Sequence, residues 1–232
     1  MPELLVFDVE STGVDTDNDR IVQLVAALAD TDGRVKVYQE WLIDPGVPVP
    51  QEASDVHGFS TEYLQAHGVP PVDALTEART FFGTYRNAVW TAFNLNYDAS
   101  ILTAEMARHG VDPSFGNAFT RGEIRLLDPL VIDRAKVRKR RGKRRLMDLA
   151  PHYGIVVDEG QLHNARYDVE VTAQLAAKVV EKYGVPGNVE QARWHRQWAE
   201  EFEIWLNNQR DQDTEGPVTI EKTWPLREKE DD

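Results

Sequence analysis

The sequence predicts an α/β fold: a mixed sheet flanked by helices, followed by a helical extension at the C-terminal end. An apolar run at residues 3–9 is typical of a buried strand. Two more strand patterns, at 20–29 and 35–43, are separated only by the turn sequence Asp-Thr-Asp-Gly. Such short links favour an antiparallel meander. Strand and helix patterns then alternate along the chain, which indicates a mixed sheet with helices on its faces.

The later elements follow in the same way. The stretch 44–71 carries five of the twelve prolines, so we expect a long loop with short helical turns. Gly110 and Gly184 have the positions of C-terminal helix caps. The remaining patterns predict helices at 73–86, 98–109, 146–153 and 166–183, and strands at 88–93 and 124–132.

The composition changes beyond Gly184, which predicts a main domain at 1–184 and a C-terminal extension at 185–232. In the extension, Asn188 and Gln191 have the spacing of a capping box that opens a helix. After Gln209 the chain is polar and acidic, so we expect this tail to be disordered.

The predicted helix at about 188–208 carries four aromatic side chains on one face: Trp194, Trp198, Phe202 and Trp205. This face either packs on the main domain or docks another protein, because exposed tryptophan is costly without a partner. Both alternatives are compatible with the sequence, and the second provides for a protein partner.

Composition excludes several classes of protein. The chain has 39 acidic and 26 basic residues and a formal net charge of −13, so it does not bind nucleic acid through overall positive charge. It has no cysteine, which excludes disulfides, thiol catalysis and cysteine-based zinc or iron–sulfur sites. No apolar run approaches the roughly 20 residues of a membrane helix, and the start lacks the basic region of a secretory signal. We therefore expect a cytoplasmic protein with no membrane partner.

Two acids mark the first strand. Asp8 and Glu10 are two residues apart, so both side chains leave the same face of the sheet. Such a pair is usually a solvated strand face. Carboxylates about 6 Å apart repel by roughly 3 kcal/mol at an effective dielectric constant near 20. A cation between them, or a proton on one of them, would relieve this repulsion.

Three further polar residues are individually unremarkable. Asp98 lies at a predicted strand-to-helix junction, where aspartate is a common N-cap. Asp168 lies in the first turn of the 166–183 helix, where acids favour the helix dipole. His163 lies in a predicted loop and fits an ordinary surface histidine.

Together, in their order and spacing, these residues resemble the three motifs of the DEDDh family of 3′→5′ exonucleases. The motifs read Asp8-Val-Glu10-Ser-Thr-Gly13, Asn94-x-x-x-Asp98 and His163-x-Ala165-x-x-Asp168. Ser11 replaces the family's usual threonine but keeps a hydroxyl. The histidine branch is indicated because Asn164 occupies the position of the alternative tyrosine.

The resemblance covers residues 3–184 and is strongest to the proofreading epsilon subunits of bacterial DNA polymerase III. It extends to Val56-His57-Gly58, to Leu127-Asp128 and to Leu146-Met-Asp148-Leu-Ala. It implies a ribonuclease-H-like fold with two metal ions, Mg²⁺ or Mn²⁺, which suit ligands that are all oxygen.

The resemblance also implies roles for the motif residues. Asp8 would bridge both ions, Glu10 and Asp168 would hold the ion beside the nucleophile, and Asp98 would act through water on the leaving-group side. His163 would deprotonate the attacking water. The family counterparts of Asp128 and Asp148 are not metal ligands.

Further residues are candidates for binding the substrate. Thr12 and Gly13 would hold the terminal nucleotide through backbone contacts, Asn94 belongs to the second motif, and His57 and Phe59 would line the pocket. Residues 134–145 contain nine bases in twelve positions. This run is either a solvated loop or a phosphate contact, and we expect the latter from Arg140, Arg141, Lys143 and Arg144.

The resulting hypothesis is a metal-dependent exonuclease acting on the 3′ end of DNA, single-stranded or frayed, in replication, proofreading or repair. An RNA-trimming 3′→5′ exoribonuclease is an alternative, because discrimination at the 2′-hydroxyl depends on pocket shape. A further alternative is a nuclease-fold adaptor that docks a replication or recombination partner through its C-terminal helix. The complete set of four acids and a histidine argues against an inactive scaffold.

Overall fold

The computed structural model describes residues 2–161, 164–210 and 216–228. One five-stranded sheet organises the chain, with the strand order β3-β2-β1-β4-β5. Its strands are β1 (Leu4–Ser11), β2 (Ile21–Ala29), β3 (Val35–Leu42), β4 (Val89–Thr91) and β5 (Leu126–Leu127). β2 is antiparallel to β1 and β3, whereas β4 is parallel to β1 and β5. This mixed sheet confirms the predicted fold class.

Helices cover both faces of the sheet. Within the described ranges they are α1 (Gln51–His57), α2 (Thr61–His67), α3 (Pro71–Thr84), α4 (Leu95–Arg108), α5 (Phe115–Thr120), α6 (Pro129–Lys136), α7 (Leu146–Leu149), α8 (Ala165–Tyr183) and α9 (Asn188–Gln209). None of these helices is both long and apolar enough to cross a membrane.

The sheet separates two apolar cores, because successive strand side chains point to opposite faces. Leu5 and Phe7 of β1 pack in the core that includes α3, α4 and α5. Leu4 and Val6 pack in the core that includes α8. β1 is therefore a central strand with both faces covered, and its alternation directs Asp8 toward the α8 side.

The predicted strand at 124–132 is wrong beyond Leu127. Asp128 ends the strand because its side chain accepts hydrogen bonds from the N–H groups of Leu130 and Val131, at 2.9 and 3.3 Å, and so caps α6. Pro129 fits the first helical position, where no N–H is needed. The helix expected at 98–109 likewise begins earlier, at Leu95, after Asn94 in a left-handed conformation with φ 65°.

The predicted capping box of α9 is also wrong, because Gly187 is the N-cap. Asn188 instead binds the backbone of the edge strand, accepting from the N–H of Leu126 at 3.0 Å and donating to the carbonyl of Ile124 at 2.7 Å. Gln191 accepts from the N–H of Asp128 at 2.9 Å and donates to the carbonyl of Leu126 at 2.8 Å. The two amides cover the open edge of β5 as a further strand would.

The aromatic face of α9 is partly packed against the protein and partly exposed. The guanidinium carbon of Arg134 lies 3.3 Å from the ring centre of Trp198, and the ammonium group of Lys136 lies 4.4 Å from that of Trp194. Trp205, farther along, is 55% exposed. The first half of the face thus packs on α6. The domain boundary at Gly184 stays a prediction.

The tail after α9 is not uniformly disordered as expected. Residues 216–228 pack back on the molecule, with the N–H of Val218 bonded to the side chain of Asn207 at 2.8 Å. Trp224 is buried in the core beside α4 and α5. The prediction of disorder is therefore wrong for this segment. Residues 211–215 and 229–232 lie outside the described ranges.

Replacing Gln191 by Leu should lower the free energy of unfolding by about 2–4 kcal/mol, since it leaves two buried backbone groups of the edge strand without their partner. Urea denaturation followed by circular dichroism measures the change. Gln197→Leu is the matched control, because Gln197 lies on the same helix and its amide donates to the exposed Glu201. Equal destabilisation by both substitutions would contradict the edge-covering role.

Candidate active site

Three carboxylates meet at the end of β1. Asp8 and Glu10 project from the strand toward α8, whose first turn carries Asp168. Each of the three offers an oxygen, and these oxygens lie within 4.8 Å of one another. The structure thus brings together three of the four predicted acidic ligands, from two elements that are far apart in the sequence.

Asp98 approaches this cluster from α4, which packs on the other face of the sheet from α8. It lies in the first turn of α4 and is buried, and its carboxylate accepts a hydrogen bond from the N–H of Val9 at 3.1 Å. It is not the N-cap, since Asn94 occupies that position. The short β4 pairs with β1 only from Leu4 to Val6, which leaves the N–H of Val9 available to this side chain.

Burial and the crowding of these acids raise their pKa values. Burial raises the pKa of Asp8 well above its usual value, and the charges of Asp98, Glu10 and Asp168 raise it further. Burial followed by the charge of Asp168 raises the pKa of Glu10 to about 8. A divalent cation would remove this repulsion, and a donor set made only of oxygens suits hard cations such as Mg²⁺ and Mn²⁺.

Asp128 lies outside the cluster and positions one of its members. Besides capping α6, its carboxylate accepts hydrogen bonds from the N–H groups of Asn94 and Leu95, at 3.3 and 3.0 Å. It thereby fixes the start of α4, and with it Asp98 one turn later. Burial raises the pKa of Asp128 to about 6.

A cavity of about 590 Å³ opens over the four acids. Tyr97 and three arginines contribute to its wall, in addition to Asn94. Its lining consists of Asp8, Val9, Glu10, Phe93, Asn94, Tyr97, Asp98, Leu130, Arg134, Arg144, Arg145, Leu146, Met147 and Asp168. The sequence analysis did not single out Tyr97, although it directly precedes Asp98 in the second motif.

The basic run does not form one cluster. Arg140 and Arg144 both bind the buried carboxylate of Asp133, at 2.7 and 2.8 Å. Only Arg144 of the four proposed phosphate contacts lines the cavity, together with Arg134 and Arg145. Arg141 and Lys143 are exposed.

The predicted nucleotide-binding backbone is already partly engaged. The N–H of Thr12 donates to the carbonyl of Arg20 at 2.9 Å, and its hydroxyl donates to Asp19 at 2.7 Å. The carbonyl of Gly13 accepts from the hydroxyl of Tyr97 at 2.7 Å. A Cβ at Gly13 would lie 2.5 Å from the carboxylate of Asp19, so a side chain there would displace this carboxylate from its hydrogen bond with Thr12.

His57 and Phe59 lie at the end of α1 and do not occur among the described residues that line the cavity. Their rings stack with centroids 5.4 Å apart, and Nδ1 of His57 accepts from the N–H of Phe59 at 3.1 Å. Burial lowers the pKa of His57. His163, the expected general base, lies outside the described residues.

Fold and site together define an α/β protein with a carboxylate cluster suited to a divalent cation at the end of its central strand. The family model described as Exonuclease (RNase_T) matches residues 5–176, a range that contains all four acids. The chain belongs to this exonuclease family, which confirms the resemblance drawn from the three motifs.

Similar proteins include DNA polymerases and an exonuclease. DNA polymerase III PolC-type of Staphylococcus haemolyticus is 30% identical over 179 residues, covering 77% of this chain and 11% of that protein. The Pediococcus pentosaceus protein of the same name is 25% identical, covering 78% and 12%. The chain thus spans about a tenth of the length of these relatives.

Among solved structures, E. coli Exonuclease I in complex with a dA16 oligonucleotide superimposes with a TM-score of 0.67 at 19% identity. The match covers 84% of this chain and 44% of that one. The zinc-bound form of the complex of E. coli Exonuclease I with single-stranded DNA gives a TM-score of 0.66, covering 84% and 43%. This likeness concerns the fold.

Mn²⁺ should stabilise the protein more at alkaline than at acid pH. Because the pKa of Glu10 is raised to about 8, the stability that protonation provides is present at acid pH and is lost as the pH rises through that value. Without metal, that loss is about 3 kcal/mol between about pH 5.5 and about pH 8.5, or roughly 6–12 °C in melting temperature. Thermal melts in EDTA and in Mn²⁺ at about pH 5.5 and about pH 8.5 measure it.

Two variants control this experiment. Glu10→Gln should reduce both the pH dependence and the Mn²⁺ effect. Asp112→Asn should change neither, because Asp112 binds Arg79 outside the cavity. An Mn²⁺ effect of the same size in Glu10→Gln would remove Glu10 from the metal site.

Proposed function

We propose that the chain is a metal-dependent exonuclease that releases nucleotides from the 3′ end of DNA. The observation that carries this proposal is the group of oxygens from Asp8, Glu10 and Asp168, which lie within 4.8 Å of one another and face a cavity with three arginines. Family membership supports the class of reaction. The resemblance to DEDDh enzymes supports the 3′→5′ direction.

The cavity has the size and charge pattern that the end of a nucleic acid strand requires. Its volume of about 590 Å³ lies within the range of small-ligand sites, and a nucleotide is a ligand of that kind. Arginine is a common phosphate ligand, and Arg134, Arg144 and Arg145 line the cavity beside the acids. Arg144 and Arg145 already bind the carboxylates of Asp133 and Asp148, which fixes their positions.

DNA is favoured over RNA by the names of the similar proteins. The relatives are named as DNA polymerases, and the structural neighbours were solved with DNA oligonucleotides. The polymerase relatives also support a role in replication proofreading. The assay below tests RNA as an alternative substrate to DNA.

The acids have different roles in the proposed reaction. Asp8 would contact both of two Mg²⁺ or Mn²⁺ ions, with Glu10 and Asp168 on the nucleophile side and Asp98 on the leaving-group side. When bound, such a pair of ions activates a water molecule and stabilises the attacking and leaving oxygens of an in-line displacement at phosphorus. The hydrogen bond from the N–H of Val9 holds the carboxylate of Asp98 in place.

Two further groups orient the substrate and the proton transfer. We assign His163 as the base that takes the proton from the attacking water, by its place in the third motif and by a usual pKa near neutrality. The arginines of the cavity would bind the phosphates. Tyr97 also lines the cavity, where its hydroxyl is held by a hydrogen bond to the carbonyl of Gly13.

Activity should depend on the acidic cluster. Wild-type protein with Mg²⁺ or Mn²⁺ should convert a 5′-labelled single-stranded oligonucleotide into a shortening ladder, and EDTA should abolish the ladder. Asp8→Asn and Asp168→Asn should lower the rate by roughly 10³-fold or more, because each removes a charged ligand. Asp112→Asn, outside the cavity, should retain the wild-type rate.

The position of the label tests the direction of degradation, and a comparison of RNA with DNA tests the substrate. Immediate loss of the terminal nucleotide from a 3′-labelled strand supports the 3′→5′ direction. Shortening of RNA but not of DNA would contradict the proposed substrate, and an intact strand under every metal condition would contradict the activity itself.

The pH dependence of the rate should identify the base. The wild-type rate should rise through about pH 6–7 as histidine loses its proton. His163→Ala should lose this rise and roughly 10²–10⁴-fold in rate. Mn²⁺ should still raise its melting temperature, because His163 is not a proposed ligand. An unchanged pH profile would exclude His163 as the base.

A further inference from the structure

The C-terminal segment 216–228 follows α9 back toward the candidate active site. The N–H of Ile220 binds the carboxylate of Glu203 at 2.8 Å, and Lys222 pairs with the same side chain at 2.9 Å. The carbonyl of Thr223 then accepts from the side-chain amide of Asn96 on α4 at 2.9 Å. Burial of Trp224 anchors the segment between these contacts and its end.

The C-terminal segment brings Arg227 close to the candidate active site. Its N–H donates to the hydroxyl of Ser100 at 2.8 Å, and its Nε donates to the side chain of Asn96 at 3.1 Å. Its Nη1 donates to the carbonyl of Val14 at 3.1 Å. The guanidinium group therefore bridges α4 and the loop that follows β1.

This guanidinium lies beside a residue that lines the cavity over the four acids. Its carbon is 5.0 Å from the ring centre of Tyr97, whose side chain lines the cavity and binds the carbonyl of Gly13. The neighbouring Val14 is 81% exposed, so the surface beside Arg227 is open. In the proposed function, a strand with its 3′ end in the cavity would have this surface open to it.

The charges around Tyr97 give Arg227 a clear electrostatic role. The loop after Val14 contains Asp15, Asp17 and Asp19, which would repel a nucleic acid strand. Arg227 thus places a positive charge where the negative potential would otherwise oppose substrate.

We propose that Arg227 forms a phosphate-binding subsite for the DNA strand, so that the C-terminal segment completes the active site. The proposal rests on the proposed function and adds a residue from outside the family match, which ends at position 176. Two of its donors are held by Asn96 and Val14, and among the described residues Nη2 makes no hydrogen bond. The group is preorganised, so little side-chain entropy is lost when phosphate binds.

Kinetics of the full chain test this subsite. Arg227→Gln should raise the KM for single-stranded oligothymidylate by roughly tenfold, with kcat changed by less than about twofold, since a charge-assisted contact to bound substrate is lost. Arg79→Gln is the matched control, because Arg79 is a half-exposed arginine whose Nε binds Asp112 at 2.9 Å, away from the cavity.

A second measurement separates a phosphate contact from a structural role. Binding of a fluorescein-labelled oligothymidylate, measured in EDTA over a range of salt concentrations, should depend less steeply on salt in Arg227→Gln. The slope should fall by about 0.7, the value for one phosphate contact on a single strand. Arg227→Lys keeps the charge but not the bridge, so its slope should remain that of the wild type.

The outcomes distinguish this subsite from the proposed function. Loss of slope in both Arg227 variants would indicate a structural bridge and overturn the subsite, as would an unchanged slope and KM in Arg227→Gln. A wild-type protein that leaves DNA intact would overturn the proposed function, whereas the salt dependence of binding would still test Arg227. Melting temperatures of all variants verify that they are folded.

Discussion

Repulsion among crowded carboxylates is the constraint on which the arrangement of this protein depends. Asp8 and Glu10 face the α8 side of the central strand, and Asp168 is brought against them. Burial raises the pKa values of Asp8 and Glu10, and the neighbouring carboxylate charges raise them further. A cluster of this kind persists only on a scaffold whose other interactions outweigh the repulsion.

The scaffold opposes the repulsion with backbone dipoles as well as with packing. Asp98 and Asp168 both occupy the first turn of a helix, where the positive end of the dipole favours a carboxylate. Val9, between the two strand acids, donates its N–H to Asp98. The remaining repulsion is what a divalent cation would relieve, so the groups that destabilise the metal-free site are those that would bind the metal.

Asp128 connects this site to the C-terminal extension. Its carboxylate holds the first N–H groups of α4 and α6, while its own N–H is held by Gln191 of α9. The position of Asp98 is therefore coupled to a helix that lies beyond the family match. An acid is required at position 128 because one carboxylate can accept from both helix starts, and this explains its presence near the cluster without a metal-binding role.

The sequence predicted the features that depend on local periodicity. Spacing of two in a strand placed Asp8 and Glu10 on one face, and the alternation of patterns gave the mixed sheet. It did not reveal the partners of polar groups across long distances. Asn188 and Gln191 fit a local capping box equally well, and only the packed structure shows that they bind the edge of β5.

Burial is not visible in composition, which limited the prediction for the basic run and for the tail. Asp133 directly precedes the basic run, and its complete burial makes it the partner of Arg140 and Arg144. The tail is polar overall, but the single side chain of Trp224 is enough to anchor it in the core. Average polarity therefore predicted disorder where one buried tryptophan determines the path.

The net charge of −13 has to be considered together with the positions of the arginines. A uniformly basic surface attracts any polyanion along its length, whereas an acidic surface with a few fixed guanidinium groups attracts phosphate only where those groups lie. Arg134 is held against Trp198, and Arg144 against Asp133. Such pairing weakens the long-range attraction of each charge, but it fixes the orientation of each guanidinium group. Binding would therefore depend on the geometry of the contacts at the end of the strand. Overall acidity and nucleic acid binding are therefore compatible, and together they favour the end of a strand over its interior.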